Sequence, residues 1–85
     1  MTETEFDIVD ELYFVTSFPE LAANLNASEK ELCQALQVLL QKGYIKSFFP
    51  DPDTEVDFSP DTFQDNCHNY FYLATKAGLL AHNSR

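Results

Sequence analysis

Two helix-start signatures, eleven residues apart, constrain the fold of this chain more than any other feature of its sequence. Ser17 precedes Glu20 and Ser28 precedes Glu31, each pair with the Ser-x-x-Glu spacing of a capping box. In such a box the serine hydroxyl accepts a hydrogen bond from a free amide of the first helical turn, while the glutamate reaches back to the serine amide. The two boxes therefore predict two short helices in close succession.

The apolar residues that follow each signature support this interpretation. The first helix is predicted over about 18–25 and the second over 28–42, where Gly43 supplies the left-handed residue that often ends a helix. The inward stripe of the second helix consists of Leu32, Ala35, Leu36, Leu39 and Leu40. The opposite face is predicted to carry Lys30, Gln34, Gln37 and Gln41. Residues 17–43 are therefore predicted to form a helix-turn-helix.

The rest of the chain predicts one further helix and two strands, and so an α+β fold in a single domain over residues 1–85. A helix over about 5–15 would bury a stripe formed by Phe6, Ile8, Val9, Leu12, Tyr13 and Val15. Strands are predicted over 44–49 and 69–74, followed by a turn of helix near the end of the chain. Two prolines interrupt the first strand, and the segment 50–68 is predicted to be a long acidic loop.

The helix-turn-helix segment also carries a family pattern. Its residues are Glu20-Leu21-Ala22, Leu25, Ser28, Ala35-Leu36, Leu39 and Gly43-Tyr44-Ile45, and a later run is Ala74-Thr75-Lys76-Ala77-Gly78. In these residues the chain resembles the winged helix-turn-helix domains of bacterial transcription regulators, where a Leu-Thr-x-x-Gly junction follows the wing; here Ala74 replaces the leucine. The resemblance implies a three-helix bundle, a two-stranded hairpin wing over about 44–74 and a short C-terminal helical turn. It also implies a recognition helix, 28–42, whose lysine and glutamine face would read bases in the major groove.

The charge of the chain disfavours DNA as its partner. Fourteen acidic and five basic residues give a net charge of -9. DNA-binding proteins draw most of their non-specific affinity from lysine and arginine side chains that neutralise phosphates. This chain has a single arginine, Arg85, and the predicted wing carries six acids and no base between residues 51 and 65. Such a domain repels DNA at long range.

The composition also bears on enzyme, metal and membrane functions. With two glycines the chain has no phosphate-binding loop, and it lacks a Gly-x-Ser-x-Gly elbow, so neither catalysis nor a cofactor is predicted. The alternating acids from Asp51 to Asp57 lack the glycine and glutamate of an EF-hand, and no metal site is predicted. No apolar run approaches a membrane span, and the first residues lack a secretory signal, so a cytoplasmic location is expected. In that compartment Cys33 and Cys67 are expected to be free thiols.

The aromatic residues suggest an interaction surface. Eight phenylalanines and four tyrosines are many for a chain of 85 residues. Seven of these aromatics crowd the predicted hairpin: Phe48, Phe49, Phe58, Phe63, Tyr70, Phe71 and Tyr72. One face of a two-stranded sheet cannot bury them all. Phe49, Phe58, Phe63 and Phe71 are therefore predicted to form a partner or dimer surface rimmed by acids. The alternative is that the first helix or the segment 50–68 covers them.

Two functions follow from these observations. The first is a non-enzymatic winged-helix module of transcription-regulator type that works through protein–protein contacts, with another protein or a second copy of the chain as its partner. The alternative is a sequence-specific DNA-binding regulator that uses helix 28–42 as its recognition helix. Glutamine is also a good helix former and can fill a solvated face without further meaning.

Overall fold

In the computed structural model, which describes residues 1–84, four of the five α-helices begin at a serine or threonine whose hydroxyl caps the first turn. The helices are α1 (Glu3–Glu11), α2 (Phe18–Leu25), α3 (Glu29–Gln41), α4 (Pro60–Asn66) and α5 (Lys76–Asn83), and a 3-10 helix covers Cys67–Asn69. The cap hydroxyls accept from amides three residues on at 3.1–3.4 Å; the capping residues are Thr2, Ser17, Ser28 and Thr75. The two helices predicted from the capping boxes are confirmed.

Left-handed residues end α2 and α3. Asn26 caps α2 with φ 52°, and Gly43 follows α3 with φ 74°. Glycine adopts this conformation without steric cost, and asparagine is one of the few other residues that does so routinely. The glycine stop is therefore confirmed, and the left-handed Asn26 provides the tight turn into α3.

Four short strands form one antiparallel sheet in the order β1-β4-β2-β3. They are β1 (Thr16–Ser17), β2 (Ile45–Phe48), β3 (Glu55–Val56) and β4 (Phe71–Ala74). The central strands β2 and β4 pair from Ile45 opposite Ala74 to Phe48 opposite Phe71. The described residues thus form an α+β fold, as predicted, but their sheet has four strands where a two-stranded hairpin was expected, because β1 pairs with β4 and β3 pairs with β2.

The segment 50–68 is not a loop, and that prediction is wrong. The Asp51 carboxylate closes the β2–β3 turn by accepting from the Asp53 amide at 3.0 Å and from the Thr54 hydroxyl at 2.9 Å. Strand β3, helix α4 and the 3-10 helix then occupy most of the remainder. Sequence periodicity missed α4 because its seven residues bury a single side chain, Phe63, which is too few to reveal a helical period.

The lengths of the outer helices also differ from prediction. Helix α1 ends at Glu11, because the chain turns at Leu12, whose amide bonds to the Val9 carbonyl at 3.0 Å. Tyr13 and Val15, predicted to be buried on α1, are therefore exposed beyond its end. At the other end of the chain, the predicted helical turn is the eight-residue helix α5.

The core lies where α3 meets α1, α2 and the sheet. The predicted inward stripe of α3 is confirmed, since all five of its residues are buried. They pack with further fully buried residues of the other elements, namely Ile8, Val9, Leu12, Leu21 and Tyr72. This single core holds α3 in place and leaves one side of that helix at the surface.

Replacing Tyr72 by phenylalanine should lower the free energy of unfolding by about 1.5 kcal/mol, because a buried hydrogen bond is lost and its acceptor remains. The Tyr72 hydroxyl donates to the Cys67 carbonyl at 2.6 Å, which ties β4 to the 3-10 helix. Urea denaturation would measure the change. Tyr44→Phe is the matched control, because the Tyr44 hydroxyl has no hydrogen-bond partner among residues 1–84. An equal cost for both variants would contradict the assigned role.

The same variant has a pH signature. Burial, and to a smaller extent the neighbouring Tyr70, raises the pKa of the Tyr72 hydroxyl well above its ordinary value. The folded state therefore favours the neutral hydroxyl, and this contribution to stability is complete below about pH 10, the pKa in the unfolded chain. It is lost as the pH rises above that value. The stability difference between the natural chain and Tyr72→Phe should accordingly shrink above about pH 10.

Candidate interaction surfaces

The outer side of α3 carries three of the four predicted recognition residues. Lys30, Gln34 and Gln41 are exposed on it. Gln37 is half-buried, and its side-chain oxygen accepts a hydrogen bond from the side-chain amide of Gln64 on α4. The predicted face of α3 is therefore present, but Gln37 is partly covered by its contact with α4.

Helix α4 is attached to α3 by a covalent bond. Cys33 of α3 and Cys67, just after α4, form a disulfide with a Cα–Cα separation of 6.0 Å. The prediction of free thiols is wrong, because α4 and the 3-10 helix bring Cys67 against α3. Asp61 and Asp65 are exposed on α4, one helical turn apart. The disulfide thus holds an acidic helix beside the glutamine face.

Positive charge near the far end of α3 is largely neutralised. Lys42 Nζ lies 3.5 Å from the Glu5 carboxylate, and Lys46 Nζ lies 3.7 Å from that of Glu55. Two of the four lysines therefore face acids. Lys30 remains the basic residue on the predicted recognition face, which is a small charge for holding a DNA backbone.

The predicted aromatic partner surface is not continuous. Phe63 is only 2% exposed, so the prediction that it contacts a partner is wrong. Its ring packs edge-on against Phe58 at 5.6 Å and Tyr72 at 6.4 Å, because α4 packs against α3 and directs Phe63 into the core. Phe58 and Phe71 are half-buried, and Phe49 is exposed beside Tyr70. Within the segment 50–68, Phe58 and Phe63 thus pack on each other.

A different apolar surface lies at the opposite edge of the sheet. Phe14 is 82% exposed, and Tyr13 and Val15 on either side of it are also exposed. Leu80 of α5 is 58% exposed and lies one turn before Asn83, whose side chain accepts from the Tyr13 hydroxyl at 3.3 Å. We call these four residues, Tyr13, Phe14, Val15 and Leu80, the Phe14 surface. Sequence reasoning missed it by extending α1 to Val15, although no single helical face can bury three consecutive apolar residues.

The Phe14 surface is held in position by hydrogen bonds. The Thr16 hydroxyl donates to the Phe14 carbonyl at 2.9 Å and lies 3.4 Å from that of Glu11. On the other side, the Ala74 amide donates to the Leu12 carbonyl at 2.9 Å. These bonds tie the segment between α1 and β1 to the sheet while the Phe14 ring points into solvent.

His82 forms the base of this region. Its buried ring stacks on Phe6 with centroids 4.1 Å apart and meets the Tyr13 ring edge-on at 6.0 Å. Its Nε2 atom lies 3.3 Å from the Asp10 carboxylate, and its Nδ1 atom lies 3.1 Å from the Asn83 side-chain oxygen. These contacts connect α5 to α1 and support Tyr13 from below.

Residues 1–84 contain neither a metal-ligand cluster nor a membrane-spanning helix. No three His, Cys, Asp or Glu side chains there come together in a group that could hold a metal ion. No helix within that range has the length and apolar character needed to cross a bilayer. Comparisons of the chain with protein-family models, with curated proteins and with solved structures find no match.

Proposed function

We propose that this chain is a non-enzymatic winged-helix module of transcription-regulator type that acts through protein–protein contacts. The order of elements supports the winged-helix assignment: α1, β1, α2 and α3 precede a β2–β4 pair, and β1 adds to the far side of β4. On this assignment β3, α4 and the 3-10 helix are an insertion within the wing. The insertion lies against α3, the recognition helix on this assignment, rather than extending away from it.

One observation carries the preference for a protein partner. Helix α4, with Asp61 and Asp65 exposed, is bonded through Cys67 to the helix that would enter the groove. Groove entry brings both flanks of a recognition helix close to phosphates. Here one flank is acidic, and the net charge of -9 adds long-range repulsion. Protein surfaces carry no such uniform negative charge.

The alternative function is sequence-specific DNA binding, and one observation favours it. Lys30, Gln34 and Gln41 remain exposed together on α3. Glutamine can bond adenine through two edge atoms, and lysine can contact guanine or phosphate. In that case α3 would be the recognition helix, and the protein would depend on a few base contacts with little help from the backbone.

A titration against duplex DNA separates the two functions. We expect no binding of random duplex by micromolar protein at about 50 mM salt, measured by fluorescence anisotropy, because few cations are available to displace counterions. A Lys30→Ala variant is the matched control and should give the same flat curve. Binding at 50 mM that falls steeply at about 200 mM, and that Lys30→Ala weakens, would overturn the protein-contact proposal.

The disulfide bears on the cellular compartment in which the protein works. A cytoplasmic location stays a prediction. Disulfides are rare in cytosolic proteins and are typical of oxidising compartments. The Cys33–Cys67 bond therefore argues against that location.

A further inference from the structure

We infer that the Phe14 surface is the docking site for a basic amphipathic helix of a partner protein, with Phe14 as its anchor. This inference rests on the proposed function and names the surface that would perform it. It concerns residues on α5 and on the segment between α1 and β1, so it is separate from the glutamine face of α3.

Exposure identifies the anchor. Phe14 is the most exposed of the large apolar side chains in residues 1–84, at 82%. It does not stand alone, since Tyr13 and Val15 on either side of it in the chain are exposed, and so is Leu80, one turn before the Asn83 that bonds Tyr13. Isolated apolar residues are normal on surfaces, but a cluster around a protruding aromatic ring is typical of a binding site.

Pre-organisation supports the same assignment. The segment that carries Phe14 is fixed by the Thr16 hydroxyl, by the Ala74 amide and by the Tyr13 hydroxyl bond to Asn83. A partner that covers the ring therefore has little backbone to immobilise, and less of the contact free energy is lost to ordering.

The acidic residues near the Phe14 surface favour a basic partner. Helix α1 carries Asp7, Asp10 and Glu11 beside this region, and the Asp10 side chain is 61% exposed. No lysine or arginine occurs in residues 1–29, and the one lysine of α5, Lys76, exposed one turn before Leu80, is outnumbered by these three acids. A second copy of the chain would bring the same acids close to one another across the interface, which is unfavourable. A partner with basic residues around an apolar stripe complements the surface.

The shape of the edge selects a helix over an extended peptide. Strand β1 has two residues, and the side chain of the second, Ser17, caps α2. Addition of a strand needs a longer run of free backbone groups than this edge offers. An amphipathic helix needs none, because it contacts side chains, and the Phe14 ring can insert between neighbouring turns of its apolar face.

The test uses a designed peptide of roughly 18 residues, five helical turns, made of lysine and leucine with all leucines on one face. Binding is measured by anisotropy of the labelled peptide at about 150 mM salt, where long-range attraction is screened. The natural chain should bind, and Phe14→Ser should weaken binding at least about 30-fold, as expected for an anchor residue. Leu80→Ser should weaken it at least about fivefold.

Matched controls distinguish binding through Phe14 from non-specific hydrophobic binding. Phe49→Ser removes another exposed phenylalanine, 42% exposed and beside Tyr70, and should leave the affinity unchanged. A peptide of the same composition scrambled to have no apolar face should bind at least about 30-fold more weakly. A glutamate–leucine peptide of the original pattern should not bind. Circular dichroism and urea midpoints would show that each variant is folded.

Four outcomes would overturn the inference. They are no binding of the lysine–leucine peptide, equal binding by the natural chain and Phe14→Ser, equal binding of the glutamate–leucine peptide, and a dimer mass by light scattering that Phe14→Ser abolishes. The last would identify a second copy as the occupant. The two experiments fail independently. The peptide titration tests only the Phe14 surface, whereas salt-sensitive binding of duplex DNA would contradict the proposed function regardless of the peptide result.

Discussion

Replacing Gly78 by alanine is expected to lower the free energy of unfolding by about 3 kcal/mol or more, the upper end for overpacking. A Cβ at this position in α5 would lie 2.8 Å from the carbonyl carbon of Tyr44, and closer still to its oxygen. The carbonyl cannot easily move, because it accepts from the Thr75 amide at 2.9 Å. The Thr75 hydroxyl in turn donates to the Gly43 carbonyl at 2.7 Å. The added methyl group must therefore push α5 away from the start of β2.

The other glycine of the chain provides the comparison. Gly43→Ala places a Cβ in open space but at φ 74°, so its cost should be the left-handed penalty of about 1 kcal/mol. Urea denaturation followed by circular dichroism measures both variants. Should Gly78→Ala prove no more costly than Gly43→Ala, the close approach of α5 to Tyr44 would be incorrect.

Removing the Cys33–Cys67 disulfide is expected to cost about 4 kcal/mol of stability, from the chain entropy of closing a loop between residues separated by 34 positions. The bond restricts the unfolded chain, and in the folded chain it fastens the 3-10 helix and α4 to α3. A Cys33→Ala/Cys67→Ala variant should therefore unfold at a much lower denaturant concentration than the natural chain. A reducing agent should shift the natural chain in the same direction.

Two controls make the disulfide prediction sharp. Reducing agent should have no effect on the double variant, which has no cysteine left. The natural chain, denatured without reductant, should show no titratable thiol. Finding two thiols per chain in protein purified under oxidising conditions would contradict the bond and restore the original prediction of free cysteines.

Local signals account for what the sequence predicted correctly. Ser17 and Ser28 begin helices because their hydroxyls satisfy amides only three residues away, and Gly43 ends α3 because its own φ permits it. The stripe of α3 was readable because 13 residues contain several turns of a 3.6-residue period. Each of these effects involves neighbours in the sequence, so no knowledge of the rest of the chain was needed.

Non-local packing accounts for what the sequence did not predict. Helix α4 is stabilised by Phe63 in the core and by the covalent bond from Cys67 to α3, not by its own pattern. Pairing of Cys33 with Cys67 depends on the Cα–Cα distance that this packing creates. Phe63 is buried because α4 packs against α3, and Phe14 is exposed because α1 ends before it.

The two candidate surfaces show the same contrast between local and non-local effects. The sequence alone determined that Lys30, Gln34 and Gln41 share the outer side of a capped helix, because that placement depends on helical periodicity. Only the tertiary structure decided that an acidic helix lies beside this face and that Phe14, not Phe63, meets the solvent. The physical reason is that a helix face is set by residues three and four apart, whereas what lies against that face is set by residues some 30 positions away, brought close by burial and by the Cys33–Cys67 bond.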